Sequence, residues 1–295
     1  DNYGTLTFAS GSTFSSFSNV QMQSNSTLNL NNTATLPCTI TGVNTTGNTV
    51  NIGVSSGVTI TTNKTISNLN ILELKGTSGN KLTTSSLITN INNLNVLSPA
   101  TLELQSDGSI TNSGTLAVNG TLTMLGGSSM SSLSAVNINA DTSTVAGPIS
   151  SITNLSVALG ATLQLSNGGS ISNSGTLAVN GTFNMLNGSS MSNLSTININ
   201  AGTSSVAGPI TGVTNFNVLT SSTLNLASTG SIKNGTTLNI NNATLDADGQ
   251  IANLTNITIQ GGGTLTTSSS ISNISNLSIA SAVNTKLVLE AGATV

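Results

Sequence analysis

The chain has 295 residues, of which 4% are charged: eight carboxylates and five lysines, with no arginine and no histidine, for a formal charge of −3. That balance argues against a nucleic-acid partner, which needs a basic patch, and removes most of the raw material for acid–base or nucleophilic catalysis. No run approaches 18 consecutive apolar residues, so no membrane span is expected, and Asp1 opens no signal peptide, as expected of a processed or excised chain.

In chain order, the predicted elements are short apolar–polar–apolar triplets. Leu6/Phe8, Leu28/Leu30, Val50/Ile52 and Leu72/Leu74 come first, followed by Leu94/Val96, Leu116/Val118, Val136/Ile138 and Leu155/Val157. The series continues through Leu177/Val179, Ile197/Ile199, Phe216/Val218, Leu238/Ile240, Ile257/Ile259 and Leu277/Ile279. Alternation at period two marks strands with one buried face. A block from Ser109 to Ile149 recurs from Ser170 to Ile210, 61 positions on, and three steps of about 22, 20 and 19 residues make up that 61.

Two further columns lie within each step. One runs Val58/Ile60, Leu102/Leu104, Leu122/Met124, Val145, Leu163/Leu165, Phe183/Met185, Val206, Leu224/Leu226, Leu245 and Leu265. The other runs through Ile66, Ile88, Ile110, Met130, Ile149, Ile171, Met191, Ile210, Ile232, Ile251 and Ile271. Strands that recur in one direction every turn pair in parallel with the turns above and below. The expected fold is therefore all-β: one continuous parallel β-solenoid over residues 1–295, about 14 coils of 19–22 residues with three short strands each. At about 4.8 Å per coil the rod would be roughly 65 Å long, and the coil length points to a right-handed turn.

The corners give an independent check. Six positions separate each third-column residue from the next first-column residue, and two positions into that gap stands Asn68, Asn90, Asn112, Asn173, Asn193, Asn234, Asn253 or Asn273, replaced by Ser132, Ser151 and Gly212. Asparagine and glycine tolerate left-handed backbone angles, so this is a repeated bend, and stacked amides can hydrogen-bond along it. Stacking also accounts for the composition: like charges 4.8 Å apart repel by about 0.9 kcal/mol even at the dielectric of water, whereas hydroxyls and amides do not. Thr101, Thr121, Thr144, Thr162, Thr182, Thr223, Thr244 and Thr264 are expected to form one outward rank. Beside it the expected second rank, Glu103, Thr123, Ala146, Gln164, Asn184, Ala207, Asn225, Asp246 and Thr266, is mixed, which disfavours ice binding, a function that needs two aligned threonine ranks. Pro99, Pro148 and Pro209 belong at bends.

Period, asparagine-bearing corners and Ser/Thr/Asn composition from about Leu6 to Leu289 resemble the parallel β-helix passengers of bacterial autotransporter and filamentous-haemagglutinin-type surface proteins. The resemblance implies an extracellular or cell-surface location and a stalk or adhesin role, and carries over no functional residue. β-Helix polysaccharide lyases and hydrolases are similar in architecture, but cluster acidic or basic residues on one face. Here Asp246 and Asp248 are the closest carboxylates, beside a turn at Asp248-Gly249, with Asp107 and Asp141 in turn-like settings. A calcium site wants six or more oxygens, and a catalytic pair wants a cleft.

The expectation is thus a non-catalytic structural rod with no catalytic or metal site and no cofactor. Its partners would be other copies of itself, stacked head to tail at the uncovered terminal rungs or packed laterally, with surface glycans or a host receptor as further candidates. A polysaccharide-binding or polysaccharide-degrading β-helix is the alternative. Cys38, alternating with Leu36 and Ile40, is expected to be a buried filler thiol.

Overall fold

The computed structural model describes residues 4–9, 11–12 and 17–295; Asp1 lies outside the described residues. Among the described residues the fold is a parallel β-solenoid of about 14 turns without helix. By contact density the chain divides into two compact units, Asp1–Ile149 and Ser150–Val295.

In the first unit, first-column strands stack in strict register. Leu6 lies opposite Leu28, Leu28 opposite Val50, and Val50 opposite Leu72. The line continues through Leu94 and Leu116 to Val136. Third-column residues Ile66, Ile88, Ile110 and Met130 stack likewise. In Ile66–Leu74 and Leu87–Val96 one strand runs through the asparagine corner, joining the two columns into a single sheet. The second column forms the other sheet, from Ala34–Leu36 through Thr59–Thr62, Lys81–Thr84 and Thr101–Leu104 to Thr121–Met124 and Thr142–Val145. The second unit repeats this plan, with Leu155, Leu177, Ile197, Phe216, Leu238, Ile257 and Leu277 in one line.

Inward residues of the two sheets interdigitate to form the core. Leu72, Leu74, Val96, Leu116, Val136, Leu177 and Leu238 have no exposed surface. Burying each aliphatic side chain of this kind is worth about 1.5–3 kcal/mol. Burial weakens at the last described turns, where Leu277 and Ile279 are exposed, and at Leu6.

The second column departs from the sequence-based alignment in three places. Ile60, not Val58, stands opposite Leu82, and Val58 occupies the corner position that Asn80 fills one turn later. Leu82 itself belongs to the column, between Ile60 and Leu102. Val145 pairs with Met124 and Val206 with Met185, so Thr144 lies opposite Thr123 rather than Thr121. Ser143 and Ser204 therefore take the inner places beside Leu122 and Phe183. Both serines are fully buried, and their Oγ atoms accept the Leu122 and Phe183 amides at 3.4 and 3.1 Å. A hydroxyl buried with a partner costs little.

Elsewhere Thr62, Thr84 and Thr267 take an inner place, and each accepts a hydrogen bond from the amide two residues on, which closes the corner. Pro99 lies in a turn, whereas Pro148 and Pro209 are the first residues of short strands, the other place where a missing N–H is tolerated.

Candidate functional site

Three sets of side chains face outward in a regular way: the asparagine corners, the amide ranks on the first-column strands, and the threonine ranks on the second-column sheet. The corner residues Asn68, Asn90, Asn112, Asn173, Asn193, Asn234, Asn253 and Asn273 all have φ between 48° and 57°. Ser132, Ser151 and Gly212 hold the same left-handed conformation at 59°, 56° and 68°. This conformation costs an ordinary L-residue about 1–2 kcal/mol, and asparagine offsets it through local hydrogen bonding.

The corner amides also bond one another. In the first unit Asn90 Nδ2 donates to Asn68 Oδ1 at 3.0 Å. In the second, Asn193 donates to Asn173 at 3.2 Å, Asn253 to Asn234 at 2.9 Å and Asn273 to Asn253 at 2.9 Å. The backbone N–H groups of Asn173, Asn193 and Asn234 donate to carbonyls of the following turn, so the bend is stitched by main chain and side chain together. Parallel amide lines run beside it, with Asn51 donating to Asn29 at 2.8 Å, Asn217 to Asn198 at 2.8 Å and Asn276 to Asn256 at 3.0 Å.

Replacing Asn253 with alanine is expected to cost about 1–2 kcal/mol from the backbone alone, with two ladder bonds lost besides. Asn253→Gly is expected to recover most of the backbone part. Urea titration of both variants checks this; equal loss in the two would mean that the amide bonds, not the bend, dominate.

Beside the first-unit corner is an open groove of about 510 Å³, lined by Val43, Asn44, Asn68, Asn90, Asn92 and Asn112 together with Thr45. Asn92 Nδ2 bonds the Thr45 carbonyl at 3.3 Å, holding the 43–47 loop against the ladder. The lining carries no ionisable group, so what it offers a ligand is amide donors and acceptors.

The charged residues are dispersed. Glu73 bonds Lys75, just past the end of its strand, and Glu103 Oε2 bonds Lys81 Nζ on the neighbouring strand at 2.7 Å. Asp246 and Asp248 both point outward across the buried Ala247, and Asp248 Oδ1 accepts the Ser268 hydroxyl at 2.6 Å. Asp107 and Asp141 have positive φ, at 69° and 52°, the turn role expected of them. Among the described residues no three His, Cys, Asp or Glu side chains lie close enough to hold a metal ion.

Cys38 is 1% exposed between Leu36 and Ile40, and desolvation raises its thiol pKa above the ordinary 9.0. A raised pKa keeps the native state protonated after the unfolded chain has ionised. This contribution to stability is therefore intact below about pH 9 and lost as pH climbs through the folded pKa. Alkylation by iodoacetamide at pH 8 is expected to be negligible in buffer and complete in denaturant; rapid labelling of the native protein would place the thiol at the surface.

Two residues that sequence reasoning missed are the buried amides Asn48 and Asn80. Asn48 Nδ2 donates to the Asn44 and Asn68 carbonyls at 2.6 and 3.2 Å while its Oδ1 takes the Asn70 amide at 2.6 Å. Asn80 does the same work at the corner between the first and second columns, where Ala100 and Gly120 stand in the next two turns. In hydropathy they look like any loop asparagine, so no signal marks them.

No protein-family model and no curated protein matches the chain.

Proposed function

We propose that the chain is a non-catalytic structural element of an extracellular surface protein, serving as a stalk or adhesin segment or as a filament subunit. The observation that carries this reading is the mutual satisfaction of the outward ladders. Neutral amides bond their own equivalents one turn away, and Glu73 and Glu103 are taken up by lysines. A surface so composed is stable without ligands and carries little like-charge repulsion against a second copy. The resemblance to β-helix passengers points the same way. Electron microscopy of the purified chain at micromolar concentration tests the assembly arm: end-to-end fibres support a filament subunit, and single particles support a stalk segment. Turnover of a polysaccharide by the purified chain would overturn both.

A second reading is favoured by the groove beside Asn68, Asn90 and Asn112, whose uncharged amides suit the hydroxyls of a neutral glycan. NMR titration with a neutral oligosaccharide, with a sialylated one as control, should shift the Asn90 and Asn112 amide signals with the neutral ligand alone; no shift with either would dismiss it.

A further inference from the structure

The observed register changes the outward face of the second-column sheet in the first unit. With Thr144 opposite Thr123, the second rank reads Thr35, Thr61, Thr83, Glu103, Thr123, Thr144. The first rank, beginning at Thr59, continues through Lys81 and Thr101 to Thr121. Only Lys81 and Glu103 interrupt the threonines, and these two neutralise each other at 2.7 Å. In the first unit the rank expected from sequence differs by having Ala146 where Thr144 stands. In the second unit the corresponding rank remains mixed, with Gln164, Asn184, Ser205, Asn225, Asp246 and Thr266.

The two ranks form a rectangular net, about 4.8 Å between turns and about 6.6 Å between residues two apart on a strand. Each threonine node carries a methyl and a hydroxyl. Unlike the corner amides, the hydroxyls of Thr61, Thr83, Thr101, Thr121, Thr123 and Thr144 make no hydrogen bond to the protein among the described residues, which leaves them to water. Their side chains are partly exposed, and their backbone is fixed in the sheet. Water held on such a net is ordered by hydroxyl bonds and by caging around the methyls, in rows set by the turn spacing of about 4.8 Å, a repeat close to that of oxygen rows in hexagonal ice. A net without unpaired charge does not compete for that water by ion hydration.

We propose that this face of the first unit is an ice-binding surface whose ligand is the water lattice itself. The proposal goes beyond the structural role and stands or falls separately from it.

The test uses the full chain in dilute buffer, with thermal hysteresis and ice-crystal shape as readouts. The wild type is expected to facet the crystal and to open a gap between melting and freezing. Thr123→Asn should lose most of that gap. Asparagine is compatible with the fold there, because Asn184 holds the place 61 residues on. Thr182→Asn, on the second unit, should leave the gap unchanged, and Lys81→Thr with Glu103→Thr should widen it. Round crystals with coincident melting and freezing would overturn the proposal, as would equal losses in Thr123→Asn and Thr182→Asn or a narrowed gap in the double variant.

Discussion

Replacing Asn80 with alanine is expected to be among the most damaging single changes in the first unit, at roughly 3–5 kcal/mol, because each buried group left without a partner costs about 1–3 kcal/mol. Asn80 is 1% exposed. Its Oδ1 takes the Val58 amide at 2.9 Å, and its Nδ2 serves the Gly53 and Lys75 carbonyls at 2.6 and 3.0 Å as well as the Thr77 hydroxyl. Alanine removes all of these partners at once. Asn80→Asp keeps the acceptor but removes the donors and places a carboxylate against two carbonyls, so it is expected to be no better. A solenoid loses structure locally before it unfolds globally, so the measurement is hydrogen exchange at Val58 alongside urea titration. Faster exchange there with a lowered urea midpoint is the expected result. A loss below 1 kcal/mol with Val58 still protected would show that water replaces the amide.

Truncation of Phe183 to alanine is expected to cost about 3–5 kcal/mol, the range for emptying a buried phenylalanine site. Phe183 has no exposed surface and stands opposite Leu163 in the second unit. Its equivalent 61 residues earlier is Leu122, also buried and also bonded through its amide to a serine. Phe183→Leu is accordingly expected to cost less than about 1.5 kcal/mol. Denaturant unfolding of both variants checks the contrast. Comparable losses would mean that the two sites differ in shape and that sequence identity across the repeat does not carry over to packing.

The parts of the fold that were legible in the sequence are those where burial coincides with hydropathy. Leu94, Leu116 and Val136 announce the first column because each is apolar, alternates with a polar neighbour and returns at the coil period. Ile66, Ile88 and Ile110 announce the third. The asparagine corner was legible through spacing, since a bend that needs positive φ accepts few residue types. The second column failed where a polar residue turns inward. Ser143 and Ser204 sit in apolar columns because a backbone amide meets their hydroxyls, and Thr62, Thr84 and Thr267 do so because they bond within their own corner. Such residues read as outward positions, and the one visible apolar residue in those strands, Val145 or Val206, was then slipped by two places. The error was small in chain distance yet it concealed the threonine net, since a two-residue slip keeps each side chain on its face and moves it to the other rank. Asn48 and Asn80 were illegible for the same reason: what makes them structural is a set of carbonyls and amides contributed by other turns.

Disulfide trapping in a Cys38→Ser background tests the stacking register most directly. Thr123→Cys with Thr144→Cys places two thiols on directly opposed residues about 4.8 Å apart, within bridging range, whereas Thr121→Cys with Thr144→Cys sets them on a diagonal of about 8 Å. Under mild oxidation the first pair is expected to close as an intramolecular bridge and the second to stay reduced. Closure of the second pair in place of the first would contradict the second-column register on which the inner place of Ser143 and the threonine face depend.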